Sequence, residues 1–410
     1  MNSRTEARFN LFTLPIICGG IIVGLAMGMR GSLGLFLTPM TAAHDWSREG
    51  FAFALALQNL LWGLAQPLFG ALSDRFGAAR VVAGGVALYA LGLLWMAVTA
   101  TTAGFTLSAG VCLGLALSGC AFGTVYGAVA RTVPATRRGA ALGLTGAIGG
   151  LGQFLMIPVV GTLLVRHGWV DALIFGAVSF LVATVLAPGL RAGAASAAHA
   201  AAADDAPGMR AVLRDAFGQR AFWLLTLGFF TCGFQLAFVS IHLPAYLTDR
   251  GFGARDGTTA LALIMLANAF GIYACGKLGD LYRPRSVLTL LYLVRSAIFL
   301  GFLLLPLSRP SLYVFSVLIG LTWLGTVPLT NGVILRLHGA RYLSTLFGFV
   351  FVGHQLGSFL GAWVGGYVYD VTGSYTPVWW ACVALGLSAA ALHFPIDDTR
   401  PVLVRQVAAT

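Results

Sequence analysis

One arginine stands alone in a long apolar run. In VGLAMGMRGSLGLFL, Val23 to Leu37, Arg30 is the only charged residue, and the apolar run around it extends from Leu11 to Met40. A charge near the middle of a bilayer is costly, so such residues face a protein interior or a wet cavity and find a partner. All fourteen acids of the chain fall at the ends of apolar segments or between them. No carboxylate is therefore expected at mid-membrane to neutralise Arg30, bind a cation or relay a proton. Arg30 could cap backbone carbonyls or snorkel outward. The other reading is that its partner is a substrate anion, since a guanidinium forks onto a carboxylate with two parallel hydrogen bonds. Arginine does not deprotonate in proteins. A carried proton would then fall to a histidine, which titrates near neutrality, and His242 and His354 lie well inside apolar segments.

Other polar side chains inside apolar segments are Gln58, Asn59, Tyr126, Gln153, Gln235, Asn268, Arg295, Asn331 and Gln355. A lone Asn or Gln there equally fits a hydrogen bond between helices. The chain of 410 residues is 58% hydrophobic and only 10% charged, against about 25% charged for soluble domains. It reads as an all-α membrane protein. Its net charge of +11 is spread over many short loops, which argues against nucleic acid as a partner. All six cysteines lie in apolar segments and read as small core residues. No cofactor and no metal are expected.

Segments of about 20 apolar residues predict twelve spans: 11–40, 51–74, 81–101, 105–130, 140–165, 170–189, 221–247, 257–279, 286–307, 312–335, 342–369 and 376–395. They are called spans 1 to 12 below. With both termini in the cytoplasm, inner segments hold 18 Lys and Arg and outer loops hold 5, which is the orientation that the positive-inside rule selects. The predicted organisation is a first six-helix bundle at 1–190, a cytoplasmic linker at 191–220 and a second bundle at 221–410. The linker contains AGAASAAHAAAADDAPG, followed by MRAVLRDAF, which suits an amphipathic helix on the membrane surface.

The two halves repeat. LGQFL at 151–155 returns as LGSFL at 356–360, and Pro39 matches Pro244 at the same offset. GALSDRFGAAR, between spans 2 and 3, returns as GKLGDLYRPR between spans 8 and 9, with Asp74 matching Asp280. A duplicated six-span unit suits a transporter whose halves rock about a central site. With the prolines aligned, Arg30 corresponds to Gln235. That pairing predicts one charged and one neutral group at the same level, as a substrate with one anionic end would need.

GALSDRFGAAR resembles the signature loop of the major facilitator superfamily. The resemblance implies two pseudo-symmetric six-helix bundles and makes this loop a conformational latch of Gly70, Asp74, Arg75 and Arg80, with Gly276, Asp280 and Arg283 in the second half. Gly70 is expected to let helices approach closely. The resemblance also implies that spans 1, 2, 4, 5, 7, 8, 10 and 11 line the cavity. That makes Arg30, Tyr126, Gln153, Gln235, Asn268, His354 and Gln355 the candidate substrate contacts, and Arg295 in span 9 a structural residue.

GMRGSLGLFL, RRGAALGLTGAIGGLG and LFLTPM…DWSREGF resemble the monocarboxylate transporter branch and the related oxalate/formate exchangers, and above all their bacterial members. Arg30 stands where animal members have a functional lysine. Span 8 reads MLANAFGIYACG and lacks the Asp/Arg pair of those members. The resemblance implies a secondary active transporter in a bacterial inner (plasma) membrane. It would act as a monomer and move a small organic monocarboxylate by alternating access, in symport with a proton carried by His354 or His242. The alternatives are anion exchange or uniport by the same fold, or a drug or metabolite exporter. Nothing in the sequence marks an enzyme.

Overall fold

The computed structural model describes residues 13–132, 138–191, 209–338 and 343–398. No strand occurs among the described residues. Eleven helices there are long and apolar enough to cross a membrane: Leu14–His44, Ala78–Val98, Thr102–Val129, Leu144–His167, Trp169–Leu190, Arg220–Asp249, Ala254–Gly279, Pro284–Leu304, Arg309–His338, Thr345–Thr372 and Thr376–His393. The helix Arg48–Phe76 occupies the place of span 2. Helices are what a hydrocarbon environment demands, because each must satisfy its own backbone N–H and C=O groups. In the linker, Met209–Gly218 forms the expected helix; residues 192–208 lie outside the described residues.

The sequence repeat is a packing repeat. Gly152 of LGQFL lies against the backbone of Gly24, where spans 1 and 5 cross. Its counterpart Gly357 lies against the carbonyl of Phe230, where spans 7 and 11 cross, and a Cβ at either glycine would collide with backbone. Small residues at such crossings let the helices touch main chain to main chain. Gly168 and Gly373, again one repeat apart, both adopt positive φ (88° and 69°) and end spans 5 and 11, a conformation that disfavours any residue with a Cβ.

Spans 4 and 10, also repeat mates, are broken, although the sequence predicts each as continuous. Span 4 is interrupted at Ala121, between Leu113–Cys120 and Phe122–Thr132. Span 10 is interrupted between Arg309–Leu321 and Thr326–His338. Backbone freed at mid-membrane needs other partners. For span 4, Thr124 Oγ1 donates to the Ser118 carbonyl (2.7 Å), and Gln66 Nε2 of span 2 reaches the same oxygen (3.4 Å). For span 10, Asn268 Oδ1 accepts from the Leu324 N–H (3.0 Å). The fully buried Arg295 donates to the carbonyls of Thr322 and Trp323. Its positive charge meets the negative end of a half-helix, as a structural residue should.

Two expectations about the signature segment change. It is mostly helix, not loop: Arg48–Phe76 runs through it, and only Gly77 separates that helix from Ala78–Val98. Nor do Gly70 and Gly276 mark close approaches, since a Cβ on either would meet nothing within 4 Å. The close crossings fall instead where the bundles are densest, at Gly24, Gly152 and Gly357. Arg80 is exposed and donates to the Phe76 carbonyl (3.3 Å); Arg283 is exposed just before span 9. The side chains of Asp74, Arg75 and Asp280 lie outside those described. In the second half the engaged arginine is Arg285, which donates to the Ile396 carbonyl (2.6 Å) and lies 3.6 Å from Asp398.

Arg295→Met should leave the buried Thr322 and Trp323 carbonyls without donors, at a cost of roughly 1–3 kcal/mol per group. The thermal unfolding midpoint in detergent should fall accordingly, with only partial recovery in Arg295→Lys, whose ammonium lacks the planar fork.

Candidate substrate and proton site

Arg30 sits in the last turn of the helix Leu14–Ser32, just before a 3₁₀ turn at Leu33–Phe36. Its guanidinium does have a protein partner, but a neutral one: Nη2 donates to Asn59 Oδ1 of span 2. The Asn59 amide is held in that orientation because its Nδ2 donates to the Leu55 carbonyl (2.8 Å). The guanidinium carbon also lies 5.2 Å from the centre of the Trp62 ring, a contact worth about 0.5–2 kcal/mol. Arg30 Nε is buried without an acceptor. Among the described residues no carboxylate pairs with Arg30. It is thus held in place by neutral groups, with no opposite charge beside it among the described residues.

A chain of hydrogen bonds leads from this turn of span 2 into the other half. Gln355 Nε2 of span 11 donates to the main-chain carbonyl of Asn59 (2.9 Å), and the Gln355 side chain lies over Gly63. That contact fixes the amide, so Oε1 faces His354 Nδ1 at 3.1 Å. An amide oxygen only accepts, so Nδ1 carries the hydrogen. The neutral ring then has its lone pair on Nε2, which is buried without a close hydrogen bond, with the Cys232 thiol beside the ring. The imidazole is clamped between Phe351 (5.4 Å, stacked) and Phe229 (4.7 Å), and Phe351 in turn meets Trp62 edge-on at 5.6 Å. The Arg30 guanidinium and the His354 imidazole are thereby joined through Asn59 and Gln355 at the junction of the halves.

The remaining candidates divide. Gln153 of span 5 belongs beside this site: its Nε2 reaches the Met27 carbonyl (3.4 Å), and it packs at Gly31, next to Arg30. Tyr126 is half-buried just past the break in span 4, with its hydroxyl over Gly146. Asn268 is committed to the broken span 10, Gln58 Nε2 to the Ala109 carbonyl (2.8 Å), and Asn331 to its own helix.

Gln235 requires a correction. It is fully buried inside the second half, where its Oε1 accepts from Arg295 (3.3 Å) and its Nε2 donates to the Cys382 carbonyl (2.8 Å). The repeat places it at the level of Arg30, but neither end of its amide is free for a ligand, because the neighbouring helix carries an arginine that claims it. His242 is not part of the Arg30 site either; it lies toward the outer end of span 7 and bonds to Tyr375 and Ala362. The sequence points to Asn59 only as one of several polar side chains inside apolar segments, and not to Trp62 or Gln66. Their spacing was a usable signal: residues 59, 62 and 66 recur at helical intervals on one face, and Trp62 Nε1 donates to Gln66 Oε1 (3.2 Å).

Comparison with known proteins agrees with this architecture. The Major Facilitator Superfamily profile matches residues 17–362, and the chain belongs to that superfamily. Its relatives are transporters, not enzymes. It is 27% identical to the MFS-type transporter YcxA of Bacillus subtilis (strain 168), over 96% of this chain and 97% of that one. It is 26% identical to human monocarboxylate transporter 11 (93% and 82% covered) and 28% identical to rat monocarboxylate transporter 13 (86% and 81% covered). Among solved structures, the nucleoside transporter NupG superposes with a TM-score of 0.76 at 13% identity, covering 94% of this chain and all of that one. A bacterial homologue of the human lysosomal transporter Spinster, inward-facing and occupied, superposes with a TM-score of 0.69 at 16% identity, covering 97% and 98%. These last two establish the fold alone.

Asn59→Leu should strand the Arg30 guanidinium without an oxygen and cost about 1–3 kcal/mol of stability. Adding a small carboxylate such as benzoate should raise the melting midpoint of this variant more than that of the wild type. Equal shifts in the two proteins would count against an anion site at Arg30.

Proposed function

We propose that this transporter carries a small organic monocarboxylate across a bacterial inner membrane, as a monomer, in symport with a proton. The observation that supports this most is the half-satisfied guanidinium of Arg30, fixed by Asn59 and Trp62 at the junction of the halves with no carboxylate on it. A single firm cation suits a substrate with a single carboxylate. The names of the mammalian relatives point the same way. Substrate binding to Arg30 would supply the missing charge, and the halves would then rock around a neutralised site. His354 is the proton acceptor in this reading, with Nε2 as the receiving atom and Gln355 holding Nδ1.

Uptake of labelled small carboxylates into proteoliposomes, with and without an inward proton gradient, tests the proposal. The wild type should accumulate substrate only with the gradient. Arg30→Gln should lower uptake at least tenfold, in line with the ~1.5–3 kcal/mol carried by hydrogen bonds to a charged group. Failure of every carboxylate to move, or full activity without Arg30, would overturn the assignment. Saturable flux indifferent to the gradient would convert symport into exchange or uniport.

The proton step has its own readout. His354→Gln should retain counterflow of labelled against unlabelled substrate, which needs no net proton movement, and should lose accumulation driven by the gradient. A His354→Gln, His242→Gln double variant that still concentrates substrate would remove histidine from the coupling altogether.

A further inference from the structure

The two halves are locked together on the outer side, as positive charge assigns it, by groups that the Arg30 site does not use. Arg48, the first residue of the helix Arg48–Phe76, donates through both Nη atoms to the Asp249 carboxylate at the end of span 7 (2.7 Å each). Its guanidinium lies 3.9 Å from the centre of the Tyr369 ring. Asp370 of span 11 accepts from the main-chain N–H groups of Arg48 (3.2 Å) and Glu49 (2.7 Å), so a carboxylate of one half caps a helix N-terminus of the other. Glu49 accepts from Trp363 Nε1 (2.9 Å). Beneath this cluster, Gly366 backs onto the Arg48 carbonyl and Gly34 onto the carbonyl of Ser240.

The lock ends inward on a histidine. Arg48 Nη1 also donates to the Tyr375 hydroxyl oxygen (3.1 Å), which lies 3.2 Å from His242 Nδ1; His242 Nε2 lies 2.7 Å from the Ala362 carbonyl. A carbonyl only accepts, so Nε2 carries the hydrogen. Nδ1 of the neutral ring is then the acceptor, and the Tyr375 O–H donates to it. The directions are consistent from one end to the other: Arg48 to Tyr375, Tyr375 to His242, His242 to Ala362. The imidazole is fully buried, and Gly365 lets it press on span 11.

We propose that His242 is the proton-operated release of this outer gate: the gate closes around a neutral His242, and a proton arriving from outside on Nδ1 opens it. This deepens the proton-coupled reading above and rests on it. An N–H on Nδ1 would face the Tyr375 oxygen, and the Tyr375 proton would lose its only acceptor. The imidazolium would also share Tyr375 with the Arg48 cation. The carboxylates of the lock are already engaged: Asp249 of its own span holds the Arg48 fork, Asp370 of span 11 caps Arg48 and Glu49, and Glu49 of span 2 holds Trp363. The remaining titratable neighbours, Tyr246, Tyr369 and Tyr375, carry no compensating charge while protonated. An imidazolium must therefore compete for acids that tie the halves together, and either outcome loosens the lock. The sign follows directly: lower outer pH favours the open gate, and closing requires Nδ1 to lose its proton.

The test reads gate opening directly in full-length protein reconstituted in liposomes. Spin labels at Ala43→Cys and Arg250→Cys, exposed positions in opposite halves beside the gate, report the distance between the outer ends. As pH falls from about 7.5 to about 4.5, through and below the range where an exposed histidine titrates, the open-to-closed ratio should rise. The limit for one linked proton is about tenfold per pH unit. His242→Gln should flatten this response, and so should Tyr375→Phe, which keeps the Arg48–Asp249 pair and removes only the relay hydroxyl. A wild-type slope in either folded variant overturns the proposal. Substrate counterflow in the same liposomes separates the two readings. A pH-sensitive gate with no carboxylate counterflow supports the gate and refutes the monocarboxylate assignment. Counterflow with a gate indifferent to pH does the reverse.

Discussion

The guanidinium of Arg30 is held by an amide dipole and an aromatic face and, among the described residues, by nothing of opposite charge. In a low-dielectric interior, an ion in that condition exerts a strong demand on its surroundings. Much of the neighbouring structure serves to keep it there without quenching it. Asn59 is oriented by the Leu55 carbonyl, and Gln58 beside it is pinned to span 4. Gly63 lets Gln355 lie flat on span 2 and reach the Asn59 carbonyl from the other half. One turn of helix thus holds the cation and also carries the bond that joins the two bundles at its level. A change of charge at Arg30 is therefore mechanically close to the relative position of the halves.

The second buried arginine shows the contrasting solution. Arg295 is consumed by the carbonyls of the break in span 10, with Gln235 and Cys232 filling in around it. Both of its Nη atoms are engaged by protein, and its Nε, like that of Arg30, is buried without an acceptor. The same chemical group is a structural clamp where helix-end carbonyls converge on it, and is held by one amide and one ring where they do not. The paired breaks in spans 4 and 10 belong to the same logic. Each supplies irregular backbone at mid-membrane, and in each some of the freed backbone is satisfied by polar side chains, as a hydrocarbon environment requires.

Much of this was readable in the chain. Charge-poor apolar runs announced the helices, and the lack of mid-span acids singled out Arg30. The repeat was visible in LGQFL and LGSFL because a glycine crossing tolerates no other residue, so the motif and its packing role travel together. Gln235 was misjudged for a specific reason. Alignment of the repeats reports depth along a helix, whereas a partner is chosen by rotation about its axis and by what the adjacent helix carries. Gly70 failed in the same way, since glycine permits a close approach without requiring one.

Composition, span positions, the internal duplication and the isolation of Arg30 were determined by the sequence alone. They follow from one-dimensional constraints: bilayer thickness, the cost of charge in hydrocarbon, and the spacing of like segments. Only the tertiary structure decided which polar groups are spent and which are left over. It gave Asn59 to Arg30, Gln235 to Arg295 and Asn268 to a broken helix, left Nε2 of His354 without a close hydrogen bond, and drew His242, Tyr375 and Arg48 into one line at the outer closure. Hydrogen bonds of about 3 Å between residues tens to hundreds of positions apart are set by helix crossing and rotation, which no local pattern records.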